Sequence, residues 1–116
     1  MKRSEEVVSG LAALVGNKNV KTGIDAEGYL EDFWGRAKGQ TICVVLPATT
    51  HEVSAVLAYC YSNGLSVFPQ GGNTSTCLGA VPDSGGNSVV VALSRMNQVI
   101  SINPVDGSLI AEAGCV

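Results

Sequence analysis

Residues 42–68, ICVVLPATTHEVSAVLAYCYSNGLSVF, decide the fold class. Residues 42–46 form a short unbroken apolar run stopped by Pro47, the pattern of a strand buried on both faces. Thr49 and Glu52 have the Thr-x-x-Glu spacing of a capping box, where side chain and backbone satisfy each other's orphan groups. Val53, Val56, Leu57 and Cys60 follow at helical spacing, and Asn63-Gly64 ends the helix with a residue free to take positive φ. Residues 65–68 then return to an apolar strand. Strand, helix and strand joined this tightly make a right-handed βαβ unit, which predicts two parallel strands as immediate neighbours.

Working outward, Ser4 before Glu5 and Glu6 reads as a helix N-cap with acids against the positive end of the dipole. Val7, Val8, Leu11, Leu14 and Val15 share one helical face, and Gly16-Asn17 supplies the stop. Residues 17–40 are polar, glycine-dotted and without period, a long connection that Tyr29, Leu30, Phe33 and Trp34 are expected to pin to the core. Residues 89–93 read as a third buried strand. Residues 99–102 and 109–113 flank Asn103-Pro-Val-Asp-Gly107, and the Asp-Gly turn signal predicts an antiparallel hairpin. The class is α+β (α/β): an N-terminal helix, a βαβ unit with parallel strands, then further strands and a hairpin.

The 116 residues suffice for one domain or part of a larger one; 46% are hydrophobic and 15% charged, enough apolar material for a real core. The net charge of −3 argues against a surface built for nucleic acid or an anionic membrane. No run approaches membrane-spanning length, and the N-terminus lacks the apolar centre of a secretory signal. Cys43, Cys60, Cys77 and Cys115 form no C-x-x-C pair; free thiols in a reducing compartment are expected, with no metal site, and hence a cytoplasmic location.

The loop FPQGGNTSTCLGAVP, residues 68–82, leaves the C-terminal end of a parallel strand, where α/β proteins hold ligands. Glycine permits alternating φ signs that aim successive N–H groups into one concavity, and Asn73, Thr74, Ser75 and Thr76 add side-chain donors. Residues 39–94 contain no Lys or Arg, which excludes the Walker phosphate loop; strand rather than helix follows, which excludes the dinucleotide fingerprint. Spacing alone leaves two readings: an anion nest, or a surface Ω-loop rich in turn formers.

The runs PQGGNT, GAVP and LSRMNQVISINPVDGSLIAEAG, with YLEDFWGRAKGQTICVVLPATTHEV upstream, resemble one family in order from Tyr29 onward. It is the FAD-binding domain of the vanillyl-alcohol-oxidase (PCMH-type) flavoproteins. Within it the likeness is to the D-2-hydroxyacid dehydrogenases, the branch that acts on 2-hydroxyglutarate, lactate or glycolate. The resemblance implies that Gln70, Gly71, Gly72, Asn73, Thr74 and Ser75 wrap the FAD pyrophosphate, chiefly through main-chain N–H groups, with Pro69 before them also a cofactor-binding residue. It implies a second backbone approach at Gly79 and Ala80, an adenosine-side contact at Pro47, and a flavin-side approach at Gly114. Amide dipoles in a dry crevice would then stand in for the absent Lys.

Two family glycines after Asn-Thr are replaced here by Ser75 and Leu78; wherever such a position needs positive φ, a side chain costs about 1 kcal/mol or more. No loop His is present, so flavin is expected to be non-covalent. Family cofactor domains are longer and a substrate domain follows. The chain therefore reads as a truncated FAD-binding domain over residues 1–116, with a first subdomain to about residue 70 and the pyrophosphate loop and start of a second over 71–116. The substrate domain and the catalytic residues are absent from it, so FAD binding by the fragment is expected to be weak or absent and activity lacking. Partners implied are FAD and, for the complete enzyme, a small 2-hydroxyacid, with no nucleic acid. The alternative is a non-catalytic nucleotide-binding or self-associating module, a homodimer through uncovered strand edges. His51 reads as a surface helix residue. Arg95 reads either as a turn residue or as a neighbour of the cofactor phosphates. Tyr59 and Tyr61 are expected to pack against neighbouring layers.

Overall fold

A computed structural model describes residues 2–116. Helix α1 (Lys2–Val15) leads into short 3₁₀ turns, Asn17–Asn19 and Gly23–Tyr29, separated by strand β1 (Val20–Lys21). Strand β2 (Cys43–Val45), helix α2 (Thr50–Ser62) and strand β3 (Ser66–Gln70) follow, then β4 (Ser88–Ala92) and the ribbon β5 (Val99–Asn103) and β6 (Ser108–Ala111).

The strand–helix–strand reading of residues 42–68 holds, down to its caps. Thr49 Oγ1 accepts from the Glu52 N–H at 3.1 Å, and Glu52 Oε2 reaches back to the Ala48 N–H at 3.5 Å, one residue before the N-cap. Gly64 ends α2 at φ +64°. The neighbour expectation is corrected. β2 and β3 are both parallel to β4, which lies between them in the order β1-β2-β4-β3. The reason is burial: β4 is buried along its whole length, so it takes the centre, while β3 carries Pro69 and suits an edge.

Alternation along the strands sorts the core into two faces. Cys43 and Val45 of β2 and Val89 and Val91 of β4 meet Val7, Leu11 and Val15 of α1 and Val56 and Cys60 of α2. Val44, Leu46, Val90 and Ala92 face the other way, against Ala26, Tyr29 and Phe68. Each fully buried valine contributes about 1.5–3 kcal/mol of transfer free energy. The helices approach closely at Gly10, where a Cβ would lie 2.6 Å from the Tyr59 ring, and the Tyr59 hydroxyl donates to the Glu6 carbonyl at 3.4 Å.

Other expectations need correction. α1 starts at Lys2, so Ser4 lies inside the helix and does not cap it. Residues 17–40 carry β1, which adds antiparallel to the free edge of β2. Tyr29 packs on the core, but Phe33 and Trp34 are 67% and 62% exposed and stack edge to face on each other at 5.1 Å. Tyr61 is exposed as well. The predicted hairpin forms; β5 and β6 make a separate antiparallel ribbon whose Val99, Ile102 and Leu109 are exposed. No helix among the described residues is long and apolar enough to cross a membrane.

Candidate functional site

The parallel strands β2, β4 and β3 send their C-terminal ends to one side of the sheet. There the chain places residues 46–47, 93–96 and 70–80. Gln70 closes the base of the long loop. Its side chain is buried, and Nε2 donates to the Ala80 carbonyl at 3.0 Å and to the Tyr29 carbonyl at 2.9 Å. One amide thus pins the two ends of the loop together and to the 3₁₀ segment. The Gln70 carbonyl accepts from the Leu93 N–H at 2.9 Å, tying the loop to the end of β4.

Within the loop, the N–H groups of Gly71 through Cys77 have no protein acceptor among the described residues, and most of the stretch is exposed. Positive φ falls on Asn73 at +58° and Leu78 at +63°; the loop glycines do not adopt it, contrary to the expectation of a glycine-built nest. Ser75 needs no such conformation, so of the two replaced family glycines only Leu78 carries the left-handed backbone. Asn73 is held by two hydrogen bonds. Its Nδ2 donates to the Glu31 carbonyl at 2.5 Å, its carbonyl accepts from the Phe33 N–H at 3.1 Å, and its Oδ1 is buried with no donor. A cleft of about 480 Å³ opens beside it, lined by Glu27, Glu31, Asp32, Phe33 and Gly72.

The remaining candidate residues lie around this loop. Gly114 is buried against the 93–96 turn: its N–H donates to the Met96 carbonyl at 2.9 Å, and a Cβ there would strike the Leu93 carbonyl oxygen. That contact alone demands glycine. The 113–116 segment reaches the loop, since a Cβ at Gly72 would sit 3.6 Å from Val116. A second cleft of about 510 Å³, lined by Ser94, Asn97, Gly114 and Val116, lies at that side. Around Gly79 a Cβ would meet nothing within 4 Å. Ala80 is buried, and Pro69 pairs in register with Val91 on the edge strand. Pro47 is fully buried just beyond β2.

Charge enters from elements outside the loop. Arg95 donates from Nη1 to the Leu46 carbonyl at 2.7 Å, so it secures the chain where β2 ends. Arg36 arrives from far upstream: its Nη2 donates to the Thr76 carbonyl at 3.2 Å, and its Nε meets Asp32 Oδ2 at 3.4 Å. Asp32 is buried and organises the turn beneath it, accepting from the N–H groups of Arg36 at 2.6 Å, Ala37 at 2.9 Å and Trp34 at 3.2 Å. Desolvation raises the Asp32 carboxyl, but those backbone hydrogen bonds and the Arg36 side chain outweigh it and hold the group below its ordinary value. The signal in the sequence was Asp32 followed by Gly35-Arg36, with Gly35 at φ +68° completing the turn. His51 sits exposed in the first turn of α2, as expected. No metal-binding cluster of His, Cys, Asp or Glu occurs among the described residues.

Comparison with known proteins places the chain in a family and a fold. The family described as "FAD binding domain" matches residues 41–116. A mitochondrial D-2-hydroxyglutarate dehydrogenase of Arabidopsis thaliana is 39% identical over 113 residues, covering 94% of this chain and 19% of that protein. Its counterpart from Rattus norvegicus is 34% identical over 113 residues, covering 97% of this chain and 21% of that protein. The chain therefore spans about a fifth of the length of the curated relatives it matches. Among solved structures, p-cresol methylhydroxylase superposes with a TM-score of 0.79 at 22% identity, covering 99% of this chain and 23% of that one. Alkyldihydroxyacetonephosphate synthase gives 0.78 at 20% identity, covering 96% and 23%. These two share the fold. The cytoplasmic expectation is corrected, because the Arabidopsis and rat relatives are both named as mitochondrial; the absence of a C-x-x-C pair was no guide to compartment.

Proposed function

The chain belongs to the FAD-binding domain family, and from that premise we propose that it supplies the FAD pyrophosphate cradle of a D-2-hydroxyacid dehydrogenase. The residues present fit such a cofactor. The run of unpaired N–H groups from Gly71 to Cys77 suits a diphosphate, and the donorless Asn73 Oδ1 suits a hydroxyl or amine rather than a phosphate. In this proposal Gln70 to Ser75 hold the diphosphate with Pro69 bordering the cofactor, Gly79 and Ala80 give the second backbone approach, Pro47 lies toward the adenosine and Gly114 toward the flavin. When bound, FAD accepts the two electrons of hydroxyacid oxidation. The part of this chain is to bind and orient: Gln70 fixes the loop base, Asn73 fixes its middle, and the absence of side chains at Gly71 and Gly72 opens the backbone. The free N–H run is the observation that carries the reading.

The dehydrogenase assignment, 2-hydroxyglutarate as the first candidate substrate and a mitochondrial setting rest on the curated relatives; lactate and glycolate rest on the motif resemblance. The isolated 116-residue chain is expected to hold FAD weakly, as one wall of the crevice. A chimaera tests the proposal: this segment replaces the matching stretch of the Arabidopsis relative. The expected product is yellow, retains stoichiometric FAD and oxidises D-2-hydroxyglutarate. A folded but colourless chimaera refutes the cradle; a yellow chimaera inactive on every D-2-hydroxyacid refutes the dehydrogenase reading.

A further inference from the structure

We infer that Arg36 is the cation of the phosphate loop, an anion-binding side chain carried in from the turn at 32–37 to the Thr76 end of residues 71–77. The inference deepens the diphosphate-cofactor reading and rests on it. The loop has no Lys or Arg of its own, yet the fold brings one guanidinium to it across 40 residues of sequence. Arg36 uses Nε on Asp32 and one Nη2 donor on Thr76; its Nη1 has no acceptor among the described residues. The side chain is 45% exposed while that of Asp32 is 1% exposed, so the acid lies beneath and the cation faces outward. Asp32 is a poor neutraliser of it. Three backbone N–H groups already occupy the carboxylate at 2.6–3.2 Å, and the Arg36 Nε contact is the longest of the set at 3.4 Å.

Position along the loop follows from charge. On the Asn73 side the neighbouring cleft is lined by Glu27 and Glu31, whose carboxylates repel a phosphate. At the Thr76 end the fold offers the opposite: an outward guanidinium held on the Thr76 carbonyl, in a stretch with free N–H groups and three hydroxyl residues, Thr74, Ser75 and Thr76. A diphosphate is therefore drawn toward Thr76, where a charge-assisted hydrogen bond adds to the amide dipoles.

Amide NMR of the ¹⁵N-labelled chain, titrated in low salt with inorganic pyrophosphate and separately with FAD, tests this. Pyrophosphate is expected to shift the amides of residues 71–77 and the Arg36 Nε–H. Arg36→Gln is expected to weaken pyrophosphate and FAD about tenfold. Arg36→Lys, which keeps the charge and loses the fork, should recover most of that loss, which a purely structural strap would not permit. Spectra unchanged outside residues 31–38 and 71–80 confirm that the variants fold; if Arg36→Gln does not, the wild-type Nε–H shift decides. Pyrophosphate that moves neither loop nor Arg36 overturns the inference, as does an Arg36→Lys chain as weak as Arg36→Gln. FAD binding through the loop that ignores Arg36 overturns the inference and leaves the cofactor reading standing. Arg36-dependent pyrophosphate binding without FAD binding upholds Arg36 as the anion site, and the flavin content of the chimaera then decides the cofactor reading.

Discussion

Asp32 and Arg36 are joined twice: the carboxylate accepts from the Arg36 backbone N–H at 2.6 Å through Oδ1 and from the Arg36 Nε at 3.4 Å through Oδ2. The turn and the outward guanidinium are thus one unit, and the unit borders both the acidic cleft and the glycine loop.

Asp32→Asn should destabilise the chain at neutral pH, because an amide cannot accept as many hydrogen bonds from this fan of donors. The sign of the pH effect follows from the lowered value of the carboxyl. Its contribution is complete above the unfolded value of about 3.9 and fades as pH falls through the folded value. Urea denaturation of both chains between pH 7 and pH 2 checks this: the gap between them should narrow only below about pH 4. A gap independent of pH would show that shape, not charge, is what Asp32 contributes.

The thiols offer a second pH test. Burial, with a smaller push from Cys60, raises Cys43 to about 12, and burial raises Cys60 as well. In the unfolded chain these thiols ionise near pH 8.5, so above that pH the unfolded state loses protons that the folded state keeps. Stability should therefore decline as pH rises past about 8.5. A disulfide reagent added to the folded chain at pH 8 should react first with exposed Cys77 and reach Cys43 and Cys60 only on unfolding. Prompt reaction of all four would contradict the packing.

What the sequence disclosed depended on range. β2, α2 and β3 were legible because apolar period, capping box and Asn63-Gly64 are all local signals. The insertion of β4 between β2 and β3 was not, because it is decided by which strand can afford burial on both faces, a comparison across the whole chain. β1 has only two residues and no period; it exists because β2 has a free edge. Phe33 and Trp34 misled because hydrophobicity says nothing of position once Asp32 turns the chain outward. The candidate loop was visible in its glycines, but the cation beside it was not, since Arg36 meets Thr76 only in the folded chain.

Leu78 is the most strained point of this loop, since it adopts φ +63° with a branched side chain. Comparing two truncations isolates the backbone, because Leu78→Ala and Leu78→Gly lose almost the same side chain. Elsewhere the alanine variant would be the more stable. Here the order should invert, with Leu78→Gly ahead by about 1 kcal/mol in thermal or urea denaturation. An alanine variant equal to or better than glycine would mean that the loop relaxes out of the left-handed region.

Glycines 114 and 79 separate the demands of the fold from those of the cofactor. At Gly114 a Cβ would strike the Leu93 carbonyl oxygen and lie 2.8 Å from that of Met96, so Gly114→Ala must part the 93–96 turn from the 113–116 segment. A loss of about 2 kcal/mol or more is expected, in the range of overpacked sites. At Gly79 the Cβ would enter open space and φ is not left-handed, so Gly79→Ala should leave stability unchanged or raise it by about 0.4–1 kcal/mol through the unfolded chain. If the backbone at Gly79 approaches the cofactor, the same variant placed in the chimaera must lose FAD affinity while melting no earlier without cofactor. Measured flavin content and apoprotein melting then decide together. A Gly79→Ala chimaera that keeps its FAD removes Gly79 from the cradle, whereas one that loses both FAD and stability would mean that the open space around this glycine closes in the longer protein.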